Sequence, residues 1–287
     1  MNSSINDTSS IISRGIAIQG YEGSFHQVAV QQFFGKGTPV VCCATFRELV
    51  KKVSDKKQAD GAMMAIENSI AGSILPNYNL LQKCDLKIVG EVYLQIKQNL
   101  LANPGISLED IREVHSHPMA ILQCLDYLEQ FNWKLVETED TALSAKHVHQ
   151  HKSRHIAAIA SKLSADLYGL DVLAPNIHTE KNNYTRFLVL KRADDAAELE
   201  NADKASISFS TNHTRGSLAK VLSIVAKAGI NLSKLQSFPK PGSDWKYYFH
   251  ADLEFENVIQ FNKLIKNMLP VTTQLKIYGT YKSGKLK

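Results

Sequence analysis

From Gly15 to about residue 192, short apolar runs alternate with stretches whose apolar residues recur every three or four positions, so strands and helices alternate. Gly15-Ile16-Ala17-Ile18-Gln19 predicts a strand. Gly20-Tyr21-Glu22-Gly23-Ser24 turns out of it, with Ser24 placed to cap a helix from Phe25 to about Phe34. Val40 to Cys43 predicts the next strand, and Thr45 caps a helix whose Phe46, Leu49, Val50 and Val53 share a face. Gly61 to Ile66 predicts a buried strand that stops at Glu67-Asn68-Ser69, where Ser69 is placed to cap the helix through Leu80 and Leu81. This alternation predicts a parallel α/β arrangement.

A second α/β stretch follows. Glu91 to Leu101 reads as a strand, Ser107 opens a short helix, and Pro118 starts a helix after Val114-His115-Ser116-His117. Leu122, Leu125 and Leu128 are expected on its buried face. Leu135 to Glu137 and His155 to Ile159 predict strands, and Ser161 to Tyr168 a helix stopped by Gly169. Two lobes of consecutive segments, with a late return through Asn176-Ile177-His178, predict a clam-shell with a cleft, a common ligand site. Asp194 to Asp203 is acidic and lacks strand pattern, as a linker would. Beyond it, strands and helices run βαββαβ, a ferredoxin-like order, with a turn at Pro239 to Asp244.

Composition changes little of this picture. The 287 residues are 44% hydrophobic and 21% charged, enough for more than one packed core. The net charge of +5 is scattered rather than interleaved with aromatics, which disfavours nucleic acid. Cys42, Cys43, Cys84 and Cys124 form no C-x-x-C pair and are expected as reduced, buried thiols in a cytoplasmic protein. The Ser/Asn-rich start, residues 1–14, reads as a disordered tail rather than a signal peptide, and no stretch is apolar enough for a membrane.

Candidate chemistry lies where strands give way to helices or loops. Gly20-x-x-Gly23-Ser24 is an anion-binding turn or a plain structural one, and it lacks the pattern of a nucleotide loop. Glu67-Asn68-Ser69, followed by Gly72, ends a buried strand where open α/β sheets place ligands. His115-Ser116-His117-Pro118 reads first as a helix start, then as a ligand contact, and only weakly as a metal site; Gln123 lies about a turn and a half on. His147, His149, His151 and His155 stand among Lys146, Lys152 and Arg154, so a solvated face is expected. Asn183, Thr185 and Arg186 bring amide, hydroxyl and guanidinium to the mouth of the Phe187–Leu190 strand, suiting a small anion with several oxygens.

Taken in order, Gly20-Tyr21-x-Gly23-Ser24-Phe25, Glu67-Asn68-Ser69 with Gly72, His115-Ser116-His117-Pro118 with Gln123-Cys124, Thr141-Ala142 and Asn183-Tyr184-Thr185-Arg186-Phe187 resemble prephenate dehydratase. The C-terminal βαββαβ unit resembles the ACT domain that follows the catalytic domain in that family. The resemblance covers roughly residues 15–280. It implies a two-lobed, periplasmic-binding-protein-like catalytic domain at 15–192 (lobe one 15–90 with 176–192, lobe two 91–175), a linker at 193–203 and a ferredoxin-like ACT domain at 204–287. It also implies conversion of prephenate to phenylpyruvate, carbon dioxide and water with no cofactor or metal, arogenate being an alternative substrate and a non-catalytic sensor an alternative role. Phenylalanine would act as effector on a homodimer or homotetramer.

Carried onto this chain, the resemblance makes Thr185 the key hydroxyl, with Glu67 completing proton transfer if it is buried enough to stay protonated. Arg186 and the Gly23 and Ser24 amides would take the side-chain carboxylate. Asn68, Ser69 or Thr141 would meet the departing carboxylate, with Gln123, Asn183 and Phe187 completing the substrate contacts. Gly216, Ser217, Leu218 and Ser237 would form the effector site. Three positions depart from the family pattern. Asp140 stands where Ser is usual, Asn79 where Asp is usual, and Gln236-Ser237-Phe238-Pro239 replaces Glu-Ser-Arg-Pro.

Overall fold

The computed structural model describes residues 14–197, 199–240 and 246–285, so the expected tail up to residue 13 and most of the turn at Pro239 to Asp244 lie outside the described residues. The chain divides into two compact units: residues up to Ile74 with Val92–Phe187, and Leu75–Glu91 with the segment from Leu188 onward.

The first unit carries two α/β lobes. In the first, β1 (Ile16–Gln19), α1 (Phe25–Phe34), β2 (Val40–Cys43), α2 (Phe46–Ser54) and β3 (Gly61–Asn68) follow in order. β1 lies between β2 and β3, parallel to both. Every side chain of β1 and β3 from Ile16 to Ile18 and Ala62 to Ile66 is buried, as strands covered on both faces require. The Thr45 side chain accepts from Glu48 N and caps α2.

β3 does not stop at Ile66. It runs on to Asn68 and folds back as β4 (Gly72–Ser73), pairing Glu67 with Ser73 and Asn68 with Gly72. Asn68 Oδ1 accepts from Ile70 N at 3.0 Å and Ala71 N at 2.8 Å, which closes the turn, and Gly72 takes φ +81°. Ser69 therefore sits in this turn instead of capping α3, which begins six residues later (Leu75–Lys83).

Glu91 to Leu101 is two strands, not one: β5 (Leu86–Gln95) and β6 (Asn99–Ala102). β7 (Glu113–Ser116) leads into α4 (Pro118–Leu122) and α5 (Leu125–Leu128). Because the expected helix breaks at Gln123-Cys124, Leu128 is buried while Leu122 stays 57% exposed. β8 (Lys134–Glu137), α6 (Thr141–Gln150), β9 (Ile156–Ala160), α7 (Lys162–Tyr168) and β10 (Asp171–Ala174) complete the second lobe. Sequence reading missed β10, a four-residue edge strand whose short pattern gives little signal. This sheet runs β10-β6-β9-β7-β8, and β7 and β9 are parallel while β6 pairs β9 antiparallel. β11 (Tyr184–Arg192) then enters the first sheet, whose order is β2-β1-β3-β11-β5.

In the second unit, β12 (Lys204–Ser210), α8 (Ser217–Lys227), β13 (Asn231–Pro239), β14 (Tyr247–Glu254), α9 (Val258–Met268) and β15 (Gln274–Tyr281) form the ferredoxin-like sheet β13-β14-β12-β15. Its pairs are antiparallel, and the core behind it gathers Ile207, Phe209, Val221, Leu253, Phe261 and Leu264. Leu75–Glu91 is held in this unit by polar contacts. Tyr248 Oη donates to Asn79 Oδ1 at 2.9 Å, and Lys276 Nζ donates to Gln82 O and Cys84 O. Asn79, one of the departures, thus has a definite task. Among the described residues no helix is long and apolar enough to cross a membrane, and all four cysteines are free.

Candidate active site

The last residues of β3 and the first of β11 lie side by side: Ser69 N donates to Tyr184 O at 2.8 Å, and Tyr184 N donates to Ser69 Oγ at 2.9 Å. One residue further along each strand, Asn68 Nδ2 stands 3.0 Å from Thr185 Oγ1, 2.7 Å from Asn183 Oδ1 and 3.1 Å from Tyr184 O. The next step brings Glu67 Oε2 to 3.7 Å from the Arg186 guanidinium. Side chains alternate across a strand, so Asn68 and Thr185 share one face and Glu67 and Arg186 the other. Arg186 is 95% buried, with the Tyr93 ring 6.0 Å away.

This register corrects the grouping expected from sequence. Asn183 and Thr185 come together, but Arg186 is turned to the opposite face with Glu67. The Glu67 side chain is 34% exposed and its Oε2 lies 3.7 Å from the Arg186 guanidinium, so the burial expected of it is not there. Phe187 is 1% exposed and meets His26 edge to face at 5.0 Å, so it packs within the core.

The Gly23 turn is likewise committed to structure. Gly23 N donates to Gln27 Oε1 and Ser24 N to Tyr21 O, so neither amide is left for a carboxylate. Ser161 Oγ and Ser164 Oγ both donate to Gly23 O, and a Cβ at Gly23 would meet Ser164 Oγ at 2.6 Å. Ser24 occupies the N-cap of α1, but its hydroxyl makes no capping bond and is buried without a partner. Ser69 Oγ donates to Asn182 O. Thr141 is the first residue of α6 and half-buried.

Asp140 is the N-cap of α6. Its Oδ1 accepts from Leu143 N at 2.9 Å, and a Cβ at Gly20 would meet its Oδ2 at 2.6 Å. Burial pushes its carboxyl above the usual range. Asp140 therefore has a structural task as the cap of α6.

The His-Ser-His segment does structural work too. His115 pairs with Glu113 at 2.9 Å, Ser116 Oγ donates to Ile159 O, and His117 Nδ1 accepts from Met119 N. Gln123 Oε1 accepts from Gln98 Nε2 at 3.4 Å. Gln98 was not anticipated; it follows β5 in an irregular stretch, where no periodicity marks it. His147 and His151 are exposed at the end of α6, and no group of three metal-ligating side chains occurs among the described residues.

In the second unit, Gly216 takes φ +79° and ends the approach to α8. A cavity of about 310 Å³ there is lined by Arg215, Ser217, Leu218, Lys246, Tyr247 and Phe249, with His213, Thr211 and Thr214. Ser237 is exposed on β13, in register with Phe249. Phe238 is buried and stacked on Tyr248 at 5.0 Å, so the residue replacing the usual Arg has joined the core.

Three similarities bear on this site. A bifunctional chorismate mutase/prephenate dehydratase of Escherichia coli (strain K12) is 32% identical over 273 residues, spanning 93% of this chain and 70% of its own. The structure of a prephenate dehydratase from Arthrobacter aurescens in complex with L-Phe superposes with a TM-score of 0.83 at 26% identity, covering 93% of this chain and 89% of that one. A structure described as GqqA, a novel type of quorum quenching acylase, gives a TM-score of 0.85 at 31% identity, covering 93% and 97%. The prephenate dehydratase family model matches residues 16–195, the segment that carries Asn68, Asn183 and Thr185, and this chain belongs to the prephenate dehydratase family.

Proposed function

We propose that this chain converts prephenate to phenylpyruvate, with Thr185 donating a hydrogen bond to the oxygen that leaves. The observation that carries the reading is the Thr185 hydroxyl held at the paired ends of β3 and β11, 3.0 Å from Asn68 and beside Asn183. In the reaction the bond between ring and carboxylate breaks, its electron pair completes the aromatic ring, and the C–O bond breaks with its pair on oxygen. Prephenate dianion gives phenylpyruvate anion, carbon dioxide and hydroxide, which balances atoms and charge. Aromatisation supplies the driving force, so the protein's task is orientation and help for the departing oxygen.

A strong ion pair to the carboxylate that leaves as carbon dioxide would hold the ground state and slow the step. The uncharged Asn68–Asn183–Thr185 face is assigned to the hydroxyl end of the substrate, and the neutral Thr141 and Gln123 remain candidates for the carboxylate end. Glu67 and Arg186 brace the strand ends from the opposite face. We assign the catalytic segment to 15–192, the connection to 193–203 and the regulatory segment to 204–287, a division that the family match to 16–195 supports.

Phenylalanine is the proposed effector, bound in the Arg215–Lys246 cavity with its ring on Leu218 and Phe249 and its carboxylate on the cations and the α8 N-terminus. Ser237 would complete that site on the assembled homodimer or homotetramer, a state that light scattering measures. The GqqA similarity raises an acylase reading, which needs a nucleophile beside a base. Thr185 has an amide nitrogen, not a base, against its hydroxyl, and this favours dehydration. Incubation with prephenate, reading phenylpyruvate absorbance in alkali, tests the proposal. Arogenate and an acyl-amide in parallel arms separate the alternatives, and no turnover of prephenate or arogenate sinks it.

A further inference from the structure

We infer that Asn68 is a positioning residue that sets the direction of the Thr185 hydroxyl hydrogen and of the Asn183 amide, turning both into donors toward substrate; this rests on the dehydratase reading above. A side-chain amide has one end that only accepts and one that only donates. At Asn68 the accepting end is occupied by two backbone N–H groups, Ile70 at 3.0 Å and Ala71 at 2.8 Å. Exchanging the ends would set an NH2 against those two donors, so the orientation is locked.

The NH2 end therefore faces Thr185 Oγ1, Asn183 Oδ1 and Tyr184 O, all within 3.1 Å. Because that nitrogen donates, Thr185 Oγ1 accepts on that side, and its own hydrogen must point elsewhere. Asn183 is ordered the same way. Its oxygen is taken by Asn68, which leaves Nδ2 on the far side, buried and without a hydrogen-bond partner. Asn183 is fully buried and Thr185 only 9% exposed, so solvent does not re-order either group. The hairpin turn at Asn68 and the donor pair at Asn183 and Thr185 are one hydrogen-bond chain running from backbone to substrate. No bond to Thr185 forms in this scheme; Asn68 only removes the alternative in which that hydroxyl points inward.

Asn68→Asp tests it, because the isosteric carboxylate still accepts from Ile70 and Ala71 while its second oxygen accepts from Thr185 and turns the hydroxyl inward. With prephenate as substrate, kcat is expected to fall roughly 10²-fold. In a Thr185→Val background the same change is expected to cost less than about threefold more, and in a Thr185→Ser background the full factor returns. The ratio of Asn68→Asp to parent activity should rise as pH falls toward the carboxylic acid range of about 4, where a protonated Asp again offers a donor. Simple repulsion of a dianion would cost the same in every background, so equal losses with and without the Thr185 hydroxyl overturn the inference. Asn183→Leu leaves Asn68 in place and removes the second donor; it is expected to lower kcat about tenfold, and unchanged turnover overturns the Asn183 half. Parent enzyme inactive on prephenate and arogenate removes the dehydratase reading and this role with it, whereas an active parent with additive losses removes this role alone.

Discussion

Each unit buries a cluster of polar side chains, and the two are finished differently. In the second unit, Ser206 Oγ donates to Asp252 Oδ1 at 2.6 Å and lies 2.7 Å from Tyr281 Oη, while His250 Nε2 lies 3.2 Å from the same carboxylate oxygen. All four side chains are at most 2% exposed, and each finds a partner within the group. In the first unit, the Asn68–Asn183–Thr185 cluster leaves Asn183 Nδ2 unpaired, and Ser24 Oγ, His26 Nε2 and Gln98 Oε1 are also buried without partners. Leaving a buried donor or acceptor unpaired costs about 1–3 kcal/mol. A closed network ties strands together, whereas an open one keeps groups in reserve for something that binds. Unspent hydrogen-bonding capacity is what separates these two clusters, although Ser210 Oγ, elsewhere in the second unit, is also buried without a partner.

Thr185→Val is the hardest test of that contrast. On the proposed reading it should lower kcat by roughly 10²–10⁴ while shifting the melting temperature little, because Asn68 Nδ2 keeps Asn183 Oδ1 and Tyr184 O as acceptors. Near-normal turnover would take Thr185 out of the mechanism.

Acid stability of the first unit sharpens the comparison next. Burial lowers the His26 pKa from 6.5 to about 4. Between those values the unfolded chain holds a proton that the folded chain does not, so stability falls as pH drops through this window and levels off below it. The loss is at most about 3 kcal/mol, and His26→Phe should flatten it in urea titrations at a series of pH values. A wild-type curve already flat from pH 7 to 4 would contradict the assignment.

Asp252→Ala reverses the logic in the other unit. Stripping the shared acceptor takes away the partner of His250 Nε2 in this group and leaves Ser206 Oγ with Tyr281 Oη alone, and it should cost roughly 2 kcal/mol, read as a lower melting temperature. If the variant melts like the parent, the closed network is not what holds those strands.

The smallest effect concerns the effector cavity. Arg215→Gln should weaken phenylalanine binding about tenfold by calorimetry on the full chain, near the value of one charge-assisted hydrogen bond. Millimolar phenylalanine giving no heat with the parent protein would remove the effector proposal.

Local rules in the sequence determined most of the elements. Thr45, Ser161 and Asn257 each accept from a backbone N–H at a helix start, and Gly169 ends α7 in the left-handed region, because caps depend only on neighbours in the chain. The βαββαβ order was legible for the same reason. Local pattern failed where a long-range partner overruled it: α4 and α5 break at Gln123-Cys124, and β3 runs past Ile66 because β4 and β11 pair with its end.

The motifs in order also pointed to residues that meet at the ends of β3 and β11, yet not to how they face. A strand carries its side chains alternately, so the pairing of residues 67 and 68 with 186 and 185 decided that Thr185 joins Asn68 while Arg186 joins Glu67. Likewise, no local pattern said that the Gly23 and Ser24 amides were already spoken for by Gln27 and Tyr21. Residue type and spacing determine which hydrogen-bonding groups exist; only the packed chain decides which of them stay unused, because that depends on every neighbour that folding brings within 3 Å.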